Sequence, residues 1–139
     1  MAETRILELE GINNFRDYGD YAVAGGGRVK RGVLWRSGQH VGASDADLEV
    51  VAGLALATVT DLRGDSEREL NPCRRHVGFA AQVLTCDGET AELASHIDAA
   101  EGVMSEQDAK DAMCRLYAGM PYRTNLIAVL RRHFAALAD

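Results

Sequence analysis

Ala57-Thr58-Val59-Thr60-Asp61-Leu62-Arg63-Gly64 is the stretch whose reading decides the fold. It is short, β-branched and closed by glycine, which predicts a buried strand over 57–62. The element before it is a helix. Ser44 stands three residues ahead of Asp47, a capping-box spacing, and Leu48, Val51, Ala52, Ala55 and Leu56 then fall on one helical face. After it, 66–70 reads as a helical turn that Asn71-Pro72 stops. Residues 80–86 read as another strand, closed by Asp87-Gly88. Strands alternating with helices predict an α/β fold with a mostly parallel sheet flanked by helices.

Toward the N-terminus, Ile6, Leu7 and Leu9 give a short apolar stretch, and Gly25-Gly26-Gly27 a turn. A second strand is expected over 29–35, ended by Gly38, so 5–36 reads as a small antiparallel β region. Toward the C-terminus, 90–100 is expected to be helical. Ser105 with Asp108 caps a further helix to about Ala118, interrupted by Gly119. Pro121 suits the first turn of a last helix, whose apolar side carries Leu126, Ile127, Val129, Leu130, Phe134 and Leu137.

The 139 residues fit one domain, 1–139. No apolar run approaches the ~20 residues needed to span a bilayer, and Met1-Ala2-Glu3-Thr4-Arg5 lacks a signal-peptide pattern. Three cysteines at unrelated spacings point to reduced thiols and a cytoplasmic setting. The net charge of −6 argues against nucleic acid as a partner. Eight acids within 87–111 face one base, Lys110, and read as a solvated helical face. Arginines instead gather around the motifs: Arg16, Arg28, Arg31, Arg36, Arg63, Arg68, Arg74 and Arg75.

Those motifs are Asn14-Phe15-Arg16-Asp17, Leu34-Trp35-Arg36-Ser37 and Val59-Thr60-Asp61-Leu62-Arg63. In this order and spacing the chain resembles the N-terminal half of the cysteine-dependent bacterial tyrosine/dual-specificity and lipid phosphatases. The likeness covers about 11–75 well and 113–137 loosely. It implies a partial phosphatase-type α/β fold with its C-terminal part missing. In the complete fold a thiolate in a Cys-x5-Arg loop attacks phosphorus, a cysteinyl-phosphate forms, and water releases it. Loop amides and arginine hold the phosphoryl charge. The resemblance implies no metal and no organic cofactor, and a phosphorylated protein or phospholipid as substrate.

Here the nucleophile loop is absent. The residue six after Cys73 is Phe79, after Cys86 Glu92, and after Cys114 Met120. The chain ends where a family member would begin the strand leading to that loop. These residues alone are therefore expected to be inactive. The alternative is a non-catalytic binding or assembly module. A strand and helix cover would be left unpartnered, so a homo-oligomer, a swapped element or a complementary C-terminal fragment is expected.

Among the candidate site residues, Asp61 stands at a strand's carboxyl end, where α/β sheets place ligand contacts. It is the candidate general acid; the alternative is a turn cap or an arginine partner. Arg63 is a candidate substrate ligand, because a guanidinium binds phosphate through paired hydrogen bonds. Its alternative is a salt bridge to Asp61, Asp65 or Glu67. Arg36 is a second candidate, with an ion pair to Asp17 as the alternative. Asn14, Phe15, Arg16 and Asp17 read as a structural corner with Phe15 at its centre. Trp35 is expected in the core, where its indole N–H needs a partner. Cys86 lacks the basic surroundings that activate a thiol. The four histidines show no metal-ligand spacing, and the triple glycine is a turn and no nucleotide cradle.

Overall fold

A computed structural model describes residues 4–90 and 105–138. Backbone contacts divide the chain into two compact units: Met1–Ala57 with Asn71–Ala80, and Thr58–Leu70 with Ala81–Asp139. Among the described residues the fold is mixed α/β, with one small antiparallel sheet and one two-stranded parallel sheet. The helix expected over 90–100 lies outside the described residues but for its first position.

The first unit holds β1 (Ile6–Leu7), β2 (Phe15–Asp17) and β3 (Trp35–Arg36), paired antiparallel in that order. Strand alternation sends Phe15 and Asp17 inward and leaves Arg16 on the other face. Phe15 packs with Ile12, Ala43, Leu48 and Val51, and Leu7, Leu9 and Trp35 lie against this core. Helix α1 (Asp45–Gly53) supplies Leu48 and Val51. Its predicted capping box is present in both directions between Ser44 and Asp47. The helix stops before Ala55, whose φ is +50°.

Asp47 does more than cap. Its buried carboxylate also accepts the backbone N–H groups of Glu10 and Gly11, each at 2.8 Å. It thus ties the loop before β2 to the start of α1. The same loop passes so close to the chain that a Cβ on Gly11 would lie 1.7 Å from the Gly42 carbonyl oxygen.

The strand expected over 29–35 is not continuous. Ala22 bridges Arg28 at the glycine turn, residues 31–33 form a turn, and only Trp35–Arg36 rejoins the sheet. The cause is local. Gly32 sits at φ +74°, and its N–H donates to the buried Asp17 carboxylate at 2.8 Å. Asp17 also accepts from Gly19 N at 2.7 Å and pairs with Arg31 at 3.7 Å. The indole nitrogen of Trp35 is buried with no hydrogen-bond partner, at an expected cost of about 1–3 kcal/mol.

The second unit is built on β4 (Thr58–Asp61) and β5 (Gln82–Thr85), parallel and in register from Thr58↔Gln82 to Asp61↔Thr85. Strand β4 is half-buried along its length. Helix α2 (Asp65–Leu70) follows it, then α3 (Glu106–Gly119), capped by Ser105, whose hydroxyl accepts from Asp108 N at 3.1 Å. The last helix begins later than the placing of Pro121 in its first turn suggests. Pro121 falls in a 3₁₀ turn over Met120–Tyr122, Arg123 is extended, and α4 runs Thr124–Ala138. Leu126 and Val129 of α4 pack on Leu84 and Cys86, with Met120 alongside. Farther along α4, Phe134 and Leu137 stay exposed.

Candidate active site

The carboxyl end of β4 brings together Asp61, Arg63, Asp65 and Arg68. Asp61 ends the strand, and the turn after it folds Arg63 back onto its carboxylate. Arg63 Nε donates to Oδ1 at 3.0 Å and Nη2 to Oδ2 at 2.8 Å, and the Arg63 backbone N–H adds a bond at 3.1 Å. Both side chains are largely withdrawn from solvent. Burial alone would raise the Asp61 pKa. The hydrogen bonds and charge of Arg63, with the charge of Arg68, outweigh it and hold the carboxyl below its usual range. Asp61 is thus an ionised acceptor at neutral pH.

Arg68 is a residue that the motif reading passed over. Its guanidinium donates to the Arg63 carbonyl, to the Asp65 carboxylate and to the Cys86 carbonyl, the last at 2.9 Å. It clamps the exit of β4 to the exit of β5. Asp65 reinforces the join by accepting from Gly88 N at 2.8 Å, and Glu89 accepts from Ser66 N at 3.0 Å. Asn125, at the start of α4, donates to the carbonyls of Asp87 and Glu89, both at 3.0 Å. The only sequence signal for Arg68 was its place among the arginines near the motifs.

Cys86 directly follows β5 within this join and is fully buried. Burial raises its thiol pKa, and Asp87 and Asp65 add to this against the opposing charge of Arg68. It is a packed, protonated thiol, the reverse of an activated nucleophile.

The remaining candidates belong to the first unit. Arg36 lies opposite Arg16 in the β2–β3 register, on the face away from Asp17. That alternation explains why Asp17 pairs with Arg31 rather than with Arg36. Arg36 Nη1 donates to the Tyr18 hydroxyl at 3.0 Å. That hydrogen bond, with the charges of Arg36 and Arg16, lowers the Tyr18 pKa against the effect of burial. Asn14 takes a left-handed conformation at φ +56°, and its carbonyl accepts from Arg16 at 2.8 Å. Asn14-Phe15-Arg16-Asp17 is therefore a turn-and-strand corner that buries Phe15 and Asp17. Among the described residues, no three His, Cys, Asp or Glu side chains cluster as a metal site would need.

Residues 7–139 match the model of the tyrosine phosphatase family, and the chain belongs to that family. It is also similar to a protein of Cupriavidus necator (strain H16) that carries the name "Putative tyrosine-protein phosphatase". The two are 47% identical over 62 residues, a stretch that makes up 45% of this chain and 23% of that protein's length.

Proposed function

We propose that these 139 residues are the N-terminal portion of a single cysteine-dependent phosphatase domain that hydrolyses phosphomonoesters. They supply a phosphate-facing strand end and lack the thiolate. The observation that carries this is the chelated Asp61–Arg63 pair at the carboxyl end of β4. A guanidinium fixed in place by a carboxylate meets a phosphoryl group with little further ordering. Arg63 is the substrate ligand in this reading, and Asp61 orients it. A general acid must hold a proton, which the charge of Arg63 opposes. Arg36 is a second candidate contact, for the substrate or for the nucleophile loop. The substrate is a phosphorylated protein or a phospholipid, and the setting is the reducing cytoplasm.

Two measurements test this. The reading frame beyond codon 139 should continue into Cys-x5-Arg. A frame without that motif overturns the catalytic reading in favour of a binding module. In the full-length product, Arg63→Ala should lower kcat/KM for an aryl phosphate by at least about ten-fold, the loss of a charge-assisted pair of hydrogen bonds. Asp61→Asn should slow good and poor leaving groups alike. A loss confined to poor leaving groups would make Asp61 the general acid instead.

A further inference from the structure

The glycine-turned hairpin of the first unit carries a surface that the catalytic reading does not use. Its register follows from the Ala22–Arg28 bridge and from Val29 N donating to Tyr21 O at 2.9 Å. Tyr21 and Val29 are therefore directly opposite, and Val23 lies two residues along on the same face. All three are exposed, at 53%, 38% and 48%, and Val33 beyond them is 52% exposed. The tip is open: a Cβ on Gly25, Gly26 or Gly27 would meet nothing within 4 Å.

Charge singles out the same segment. Residues 20–36 contain four bases, Arg28, Lys30, Arg31 and Arg36, against one acid, Asp20, in a chain of net charge −6. Arg31 is engaged by the buried Asp17. Arg28 donates to the Asp20 carbonyl at 2.6 Å and pairs with its carboxylate at 3.2 Å, an exposed ion pair of the weak kind. Arg5 lies over the Tyr21 ring at 4.2 Å and adds a base beside the apolar face. An exposed apolar face with a basic border fits an anionic lipid surface. Apolar side chains and a tyrosine enter the interfacial layer while the bases meet lipid phosphates and carboxylates. No described helix is long and apolar enough to cross a membrane.

We propose that this hairpin docks the protein on anionic bilayers, with Tyr21, Val23 and Val29 inserted and Lys30 and Arg28 at the headgroups. The inference rests on the first unit's surface and stands whether or not the catalytic reading holds. Flotation of the 139-residue protein with vesicles tests it. The protein should float with phosphatidylserine-containing vesicles at low salt and stay behind with phosphatidylcholine alone. Binding should fall as salt screens the bases. Lys30→Ala should lower the partition coefficient about five-fold, the contribution of one base near the surface. Val23→Ser with Val29→Ser should abolish flotation. These side chains are exposed, so the near-ultraviolet signal of the single Trp35 should be unchanged in each variant. Absence of binding to the anionic vesicles overturns the proposal. So does an equal loss in Arg131→Ala, a base on α4 outside the hairpin, or capture by poly-glutamate with no preference for lipid.

Discussion

Asp47 shows how much a single side chain can hold in this protein. Its carboxylate receives three backbone N–H groups, from Glu10, Gly11 and Ser44. Burial works to raise its pKa, but the three backbone hydrogen bonds and the Ser44 hydroxyl lower it below the ordinary value. A folded-state pKa below the unfolded one gives stability that is present above the usual carboxylate range. That stability is lost as pH falls through the folded value. Asp47→Asn should therefore lower Tm at neutral pH, and the gap from the parent should close as acid is added. A constant gap in a thermal melt series would show that Asp47 acts by shape alone. The cysteines give a second test at this scale. Cys114 is exposed, Cys73 partly so, and Cys86 buried with a raised pKa. Iodoacetamide followed by mass mapping should modify Cys114 first and Cys86 only on unfolding. Early reaction at Cys86 would contradict its assignment as a packed thiol.

Among the elements, the loop before β2 and the start of α1 are bound to each other more tightly than their lengths suggest. Gly11 allows the backbone to approach the Gly42 carbonyl, and Asp47 fixes the approach. Gly11→Ala places a methyl inside that contact, and the obstacle is backbone, which cannot rotate away. A cost above about 2 kcal/mol is expected from such overpacking, measurable by urea unfolding. An equal midpoint for parent and variant would mean that the loop is free to move. Gly53→Ala is the control, because a Cβ there meets nothing within 4 Å.

For the molecule as a whole, exposed apolar surface is the governing feature. In the second unit β4 and β5 form a two-stranded parallel sheet, an arrangement seldom stable without further strands and cover on both faces. Phe134 is 65% exposed and Leu137 41% on the helix that packs against it. Apolar exposure of this kind drives association. The isolated chain should sediment as a dimer or larger species at high concentration. Phe134→Glu with Leu137→Gln should return it to monomer. A parent that stays monomeric throughout would show that the unit tolerates this surface in water. The same chain should not hydrolyse an aryl phosphate above the buffer rate, since no Cys-x5-Arg stands in its sequence. Turnover abolished by Cys86→Ser would refute that.

The elements were legible where local chemistry decides them. Ser44 with Asp47 marked the start of α1, β-branched 58–60 marked β4, and Ser105 marked α3, because caps and strand propensity act within a few residues. The sequence offered Arg63 three acids, Asp61, Asp65 and Glu67, and the turn after β4 selects Asp61. What sequence could not supply was decided by contacts distant along it. Residues 29–35 have a strand's composition, yet Asp17 captures Gly32 N and turns the chain there. Arg68 became the clamp between two strand exits only because parallel pairing brings the Cys86 carbonyl, eighteen residues away, beside it. Asp47 looked like a helix cap, and its hold on residues 10 and 11 appears only once the loop folds over α1. Local hydrogen bonding and side-chain propensity are written in order along the chain. The partner of a buried charge is written in space.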